Sequence, residues 1–457
     1  MSIHPGELAE RALAAATGPC LVLVSTQSAA NLRWAANTLT TNGLTGGQEV
    51  TVISVQGGNQ VGIVTRSGVS ADAVVALVAD AEAAARTAPA AEDAAELISG
   101  AAADGFAQGP GQVTAADLAT LAAGLGAALD DARASEQELF GYAEQTVRTT
   151  YLATSTGIRA RHEQPAATVQ LNGKSHSRTR SAWAGAADRT MDAIDVAALA
   201  QQVSERLGWQ ARQLDVPAGR YDTVLPPSAV GDLMLYAYLS ADARSAHEGR
   251  SVFSRPGGGT RVGDRLATLP VSLRSDPHAP GLQCAPLVLT TASHDAASVF
   301  DNGLPVAATS WIDKGVLAAL PTTRHTARMA GLACTPGPDN LLMDVDGATG
   351  TATDLVRDLD DGLLMTCLWY IREVDPRTLL LTGLTRDGVY RVRGGEVVGA
   401  VNNFRFNESP IDLLDRIEAA GASEQTLPRE FGDYLPRAAM PSLRVRGFNC
   451  SSVSQAS

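Results

Sequence analysis

Short apolar runs separated by turn residues open the chain: CLVLVS from Cys20, LRWAANTLTTNG from Leu32 and EVTVISVQGGNQVGIVTR from Glu49. Residues 50–55 and 61–65, joined by Gln-Gly-Gly-Asn-Gln, predict a β-hairpin. Ser70 then caps an alanine-rich helix, SADAVVALVADAEAAARTA, with Asp72 in its first turn, where a carboxylate suits the helix dipole. The pattern predicts a sheet backed by helices. Residues 88–112, rich in Ala, Gly and Pro, read as an exposed connection with one short helix.

A helix over 115–134 leads into a β block, TVRTTYLATSTGIRARHEQPAATVQLNGKSHSRTRSAWAG, with turn signals at 154–157 and 171–174. Its Arg159, Arg161, His162, His176, Arg178 and Arg180 read as a solvated strand face. A further helix over 192–207 sets Val196, Leu199, Val203 and Leu207 on one stripe, with Gly208 as its C′ residue. Pro217 and Gly219 open a linker. The stretch TVLPPSAVGDLMLYAYLS predicts a buried helix entered through Pro226, Pro227 and Ser228. Beyond it PLVLTT, PVAATSWIDKGVLAAL, DNLLMDV and LLMTCLWYI read as strands or hairpins. LLLTGLTRDGVYRVRGGEVVGAVNNF reads as a three-stranded meander turning at 386–388 and 393–395, and SLRVRGF as a last strand. The expected class is α+β, in three parts: an N-terminal α/β domain over 1–110, a central α+β domain over 111–216, and a β-rich, barrel-like domain over 217–457.

Composition narrows the function. The chain has 457 residues, enough for two or three well-buried cores, and 45% are hydrophobic. A net charge of −13 argues against a general nucleic-acid binder, which needs a cationic face. The first twenty or so residues lack a basic region leading into an apolar run, so no secretory signal is expected. No apolar run reaches the ~18–20 residues of a membrane span. Five widely spaced cysteines form no CxxC pair, and the cytoplasm is the expected compartment.

Candidate chemistry is sparse. Glycines 257–259 and 263 lack the following Lys-Ser/Thr of a phosphate loop. His247-Glu248 begins like HExxH, but Ser251 stands where the second histidine belongs. Ser293, His294 and Asp295 are adjacent in sequence, which denies them triad geometry, and no GxSxG occurs. Cys450 is a candidate thiol. Read from the residues alone, the chain is a multi-domain α+β protein without a visible catalytic constellation.

Several stretches, in order, resemble the TldD/PmbA family of peptidase subunits, also called modulators of DNA gyrase. They are ANTLTTNG, the block from YLATSTG to SAWAG, TVLPPSAVGDLMLYAYLS with GRSVFS and SDP, DNGLPVAATSWIDKGVLAAL, GLLMTCLW, and TGLTRDGVYRVRGGEVVGAVNNFRF. In the family's catalytic subunits the helix after Pro-x-x-x-Gly carries H-E-x-x-x-H, and a distant cysteine completes a zinc site. Aligned on Gly231, those three positions are Leu235, Tyr236 and Ser240, and LPREFGDYLPRAAMPSLRV contains no cysteine. The resemblance therefore implies a TldE (PmbA)-type subunit with no metal or cofactor of its own. It would pair as a heteromer with a TldD-type subunit that carries the zinc, and act on unstructured peptides or amide-linked natural-product precursors. Tyr236, Tyr238, His325, Asn402 and Asn403 are the candidate substrate contacts. Two other readings stand beside it: a stand-alone peptide-binding homodimer, and a hydrolase with an unrecognised site built from groups such as His176, Arg178 or His325.

Overall fold

The computed structural model describes residues 3–103 and 105–454. Helix α1 (Pro5–Ala15) starts at His4, whose Nδ1 accepts the Gly6 N–H. Strands β1 (Cys20–Ala35), β2 (Thr38–Gln56) and β3 (Gln60–Ser67) follow. The hairpin read at 50–65 is present, closing with Gln56 opposite Gln60. Helix α2 (Ala73–Thr87) begins later than the sequence predicts. Ser70 Oγ accepts the Ala73 N–H at 3.3 Å, whereas Asp72 makes no capping bond. Its fit against β3 is close: a Cβ at Gly62 would stand 2.0 Å from the Ala81 carbonyl oxygen.

The connection after α2 holds no helix among the described residues. It runs extended, bridging Ala90 to Gln60 and Ala102 to Arg159. Leu97 and Ile98 pack on the core of Leu21, Ile53 and Leu152. The apolar positions that predicted a short helix serve instead as a cover for that core.

A 3-10 turn at Ala115–Leu118 runs into α3 (Ala119–Ala134), and three strands follow: β4 (Gln137–Thr154), β5 (Arg159–Ser175) and β6 (Arg180–Asp188). The first sheet has the order β3-β2-β1-β4-β5-β6. Since β1 pairs with β4, it runs unbroken past residue 110. The turn at 154–157 is present. The second turn is not at 171–174, because Asn172 and Gly173 continue β5. A Cβ at Gly173 would meet Val203 Cγ1 at 2.2 Å, so this glycine admits α4 (Val196–Trp209) against the strand. The chain reverses instead at His176, Ser177 and Arg178, all at positive φ. Asp195 caps α4 through the Ala198 N–H. Val196, Val203 and Leu207 are buried on its predicted stripe, but Gly208 lies inside the helix rather than beyond it.

Next come β7 (Gln213–Leu214), β8 (Gly219–Leu225), α5 (Pro227–Leu239), α6 (Ala243–His247), β9 (Val271–Ser275), β10 (Thr309–Asp313), β11 (Val316–Leu317) and α7 (Arg324–Ala330). The rest of the chain forms β12 (Leu341–Val345), α8 (Ala352–Arg357), β13 (Asp361–Met365), β14 (Leu368–Asp375), β15 (Leu380–Thr385), β16 (Val389–Arg393) and β17 (Glu396–Val401). It closes with β18 (Phe404–Glu408), α9 (Pro410–Leu414), β19 (Ile417–Thr426) and β20 (Ala438–Val453). The strands from β7 onward make one 14-stranded sheet, branched at β20, which pairs with β8, β12, β18 and β19. The fold is mixed α+β.

Two readings change here. Residues 286–291 (PLVLTT) make only an isolated bridge, Leu287 to Pro305. The expected meander is split: β16 and β17 form a hairpin, but β15 pairs with β14 and β18, and the other neighbour of β16 is β13. The Arg386–Gly388 turn thus passes the chain between separate strand pairs. Pro226 and Pro227 open α5 as predicted, and its Leu233, Met234 and Leu235 are buried with side chains from β9, β12, β13 and β20.

Candidate functional site

Helix α5 carries the positions that the resemblance singles out. Leu235 is fully buried in the apolar cluster. Tyr236 is half-buried and meets Phe431 edge-on, ring centroids 5.5 Å apart. Burial, then the nearby Glu373 charge, pushes its phenol above the usual range, so it stays protonated and is not available as a general base. Ser240 caps the C-terminal end of the helix, its N–H donating to the Tyr236 carbonyl. A hydrocarbon, a phenol and a hydroxyl make a donor set unsuited to zinc. Among the described residues no group of three or more His, Cys, Asp and Glu stands together as a metal site.

Ser240 and Glu373 line a cavity of about 600 Å³ between the end of α5, α6 and the end of β14. Asp232 anchors the other side of the helix. Its carboxylate, buried without exposure, accepts the N–H groups of Arg429, Glu430 and Phe431. Burial pushes this carboxyl up to about 8, against the opposing pull of the three donors. The loop held in this way presents Phe431 to Tyr236 and Arg429 to two indoles. The Arg429 guanidinium lies 4.2 Å from the ring centroid of Trp369 and 5.2 Å from that of Trp183. Trp183 comes from β6 and Trp369 from β14, so the cation joins the two sheets.

The other candidates lie elsewhere. The Tyr238 ring is buried, and its hydroxyl donates to the Pro338 carbonyl at 2.8 Å. His325 on α7 has its Nε2 3.9 Å from Glu92. Asn402 and Asn403 line a separate cavity of about 470 Å³ with Lys174, Arg178 and Arg386. Asn402 Oδ1 accepts the Val216 N–H there, while its Nδ2 is buried without a partner. Arg178 is paired with Glu138 at 2.8 Å, and His176 Nδ1 lies 3.2 Å from Ser175 Oγ. Among the remaining motifs, Glu248 is engaged by Arg244 and Arg250. Cys450 is fully buried, and burial pushes its thiol up to about 12, which removes it as a nucleophile. The Trp–Arg–Trp arrangement has no local sequence signal, because its members come from three distant segments.

A six-stranded sheet followed by a large branched sheet around a central helix, with the loop after β19 clasped to that helix, defines a fold with known relatives. Residues 218–452 match the PmbA/TldA metallopeptidase C-terminal domain, and residues 108–211 match the central domain of the same family. The chain belongs to the PmbA/TldD metallopeptidase family. Its fold is similar to that of TldE from Thermococcus kodakarensis, at 14% identity and a TM-score of 0.76, over 97% of this chain and 98% of that one. A "putative modulator of a DNA gyrase" from Thermotoga maritima gives 16% identity and a TM-score of 0.78, over 97% and 99% of the two chains. A protein of like description from Bacteroides thetaiotaomicron gives 15% identity and a TM-score of 0.73, over 97% of each. No curated protein matches the sequence significantly.

Proposed function

We propose that this chain is a zinc-free, non-catalytic subunit of a heteromeric metallopeptidase. It pairs with a TldD-type subunit that carries the zinc, and the pair acts on unstructured peptides or amide-linked natural-product precursors. The observation that carries this reading is the state of α5. The position aligned with the first zinc ligand, Leu235, is packed into the hydrophobic core, and the position aligned with the general base is the tyrosine Tyr236, bearing on Phe431. Hydrolysing an amide near neutral pH needs an activated nucleophile and a charge that polarises the carbonyl. Neither Leu235 nor Tyr236 supplies one. What the chain retains is a surface for positioning substrate, and positioning is a contribution to rate in its own right.

The test compares this chain, a TldD-type partner and their mixture on an unstructured peptide, with and without a chelator. The expected result is no hydrolysis by this chain alone, and chelator-sensitive hydrolysis by the mixture that exceeds the partner's own. Chelator-insensitive hydrolysis by this chain alone, lost on mutating one of its own residues, would overturn the proposal in favour of an unrecognised site.

A further inference from the structure

Arg429 is a held cation without a counter-charge. Its guanidinium lies over the Trp369 and Trp183 rings, within cation–π reach of both, which restricts where it can go. Its one side-chain hydrogen bond is a long one, 3.5 Å from Nη1 to Gln170 Oε1, and Nε is buried with no acceptor. No carboxylate forms an ion pair with it among the described residues. The adjacent Asp232 and Glu430 are otherwise engaged. Asp232 takes three backbone N–H groups, and Glu430 pairs with Arg372 at 3.2 Å. A partly desolvated arginine with no anion is costly, and a pre-oriented one is a ready receptor for a carboxylate.

The surroundings open toward solvent and carry strain. Tyr370, beside Trp369, is 55% exposed and sits at φ +52°, where a non-glycine residue is uncommon. The pairing of β14 with β15 slips between Trp369 and Arg372, a bulge that re-aims side chains in this stretch. Arg372 lies over the Tyr370 ring at 5.7 Å. An aromatic, cationic rim thus borders the clamp.

We propose that the Trp183–Arg429–Trp369 clamp binds a carboxylate of the peptide substrate, received end-on by the terminal guanidinium nitrogens, with the C-terminal carboxylate as its source. This inference rests on the peptide-binding reading above and gives it a chemical specificity. Trp369 and Glu373 are four residues apart on β14, a span of at most about 13 Å, shortened by the bulge. A peptide lying along β14 would therefore reach the Ser240 cavity roughly four residues before its carboxylate.

The experiment titrates the whole chain, alone and mixed with its partner, with three versions of one Gly/Ser-rich peptide. One has a free C-terminal acid, one a C-terminal amide, and one a C-terminal amide with Asp as its last residue. Binding is read from tryptophan emission and, independently, from peptide anisotropy. The acid should bind roughly tenfold or more tighter than the plain amide, a preference that salt weakens. Arg429→Gln should abolish the preference, and Arg429→Lys should keep part of it. Trp369→Phe, which keeps an aromatic face for the cation, should cut the emission response while leaving the preference measured by anisotropy. If the Asp amide matches the acid, the C-terminal source is wrong. Equal binding of acid and plain amide, or a preference that survives Arg429→Gln in a folded variant, overturns the clamp but leaves peptide binding standing. No binding of any peptide, to the chain or the mixture, overturns both.

Discussion

The carboxylate of Asp232 accepts the backbone N–H of Glu430 at 2.8 Å, tying a loop of the chain's last fifth to the helix that carries Leu235 and Tyr236. With the Arg429 and Phe431 N–H groups it makes Asp232 the fixed point from which the Tyr236–Phe431 contact and the arginine clamp are set. Its titration should be visible in stability. Burial raises the folded-state carboxyl to about 8, well above the ordinary aspartate value of about 4, so the folded state holds a proton that the unfolded state releases earlier. This contribution is full below about pH 4 and is lost as pH rises through about 8. Urea unfolding of the wild type should therefore show a decline across that window. Asp232→Asn cannot ionise, and its profile should lack that component whatever its offset. An unchanged pH dependence in the variant would contradict the assignment.

The packing of Leu235 predicts that installing the ligand set implied by the resemblance will fail. Leu235→His places an imidazole in a hydrocarbon cluster, at a cost of about 1–3 kcal/mol for an unpartnered polar group. The triple variant Leu235→His, Tyr236→Glu, Ser240→His should melt below the wild type and gain neither stoichiometric zinc nor hydrolysis. Metal analysis after dialysis and a thermal melt check both halves.

Thiol reactivity should single out one cysteine. Cys20, Cys284, Cys367 and Cys450 are buried, and Cys334 is exposed. Burial pushes the Cys20 and Cys367 thiols up to about 12 and that of Cys284 to about 11. Native alkylation should add one label, at Cys334, while alkylation in denaturant should add five, as read by mass spectrometry.

Two glycines give a paired prediction for the N-terminal sheet. A Cβ at Gly62 would meet the backbone of α2 at Ala81 and Ala85, which cannot rotate away, whereas Gly47 has nothing within 4 Å. Gly62→Ala should cost about 1–3 kcal/mol or more, and Gly47→Ala should stay within about 0.5 kcal/mol. Chemical denaturation of the two variants tests the difference.

Asp301 and Arg324 form a pair that is nearly dry on the acid side. The Asp301 side chain is 4% exposed and takes Arg324 Nε at 2.6 Å. The same arginine reaches the Glu96 and Phe300 carbonyls, so it stitches the segment before residue 104 to α7. Asp301→Ala removes the carboxylate but leaves the guanidinium its two carbonyl acceptors, and should cost about 1.5–3 kcal/mol. A smaller loss in the double variant that also removes Arg324 would show the coupling.

Local signals carried the sequence reading where partners are close in the chain. The 50–65 hairpin, the α4 stripe and the proline start of α5 were legible because turn chemistry and periodicity decide them within a few residues. Asn172-Gly173 misled because the pair favours a hairpin turn, but here the glycine is required by the approach of Val203 from a distant helix. The Arg386–Gly388 turn misled for a related reason. Which strand β16 joins is decided by β13, and nothing in the meander's own pattern encodes that. Positions 235, 236 and 240 are singled out by resemblance alone; of these, Tyr236 and Ser240 lie near Glu373, Tyr236 by its charge and Ser240 by a shared cavity. The clamp was invisible because Trp183, Trp369 and Arg429 meet only once two sheets are assembled.

The placement of β20 has a consequence for synthesis. Leu443 and Val445 of this late strand lie opposite Leu225 and Thr223 of β8, so β8 emerges from the ribosome long before the strand that completes one of its edges. Until then the apolar helix α5 follows β8 with much of its wrapping still to be made. A nascent chain at that stage exposes an open strand edge next to a greasy helix, which is the kind of surface that chaperones retain and that other nascent chains join. Yield in a heterologous host should accordingly be limited by what happens to the half-made C-terminal sheet, and should improve more with slower translation and added holdase than with any stabilising change in the N-terminal sheet.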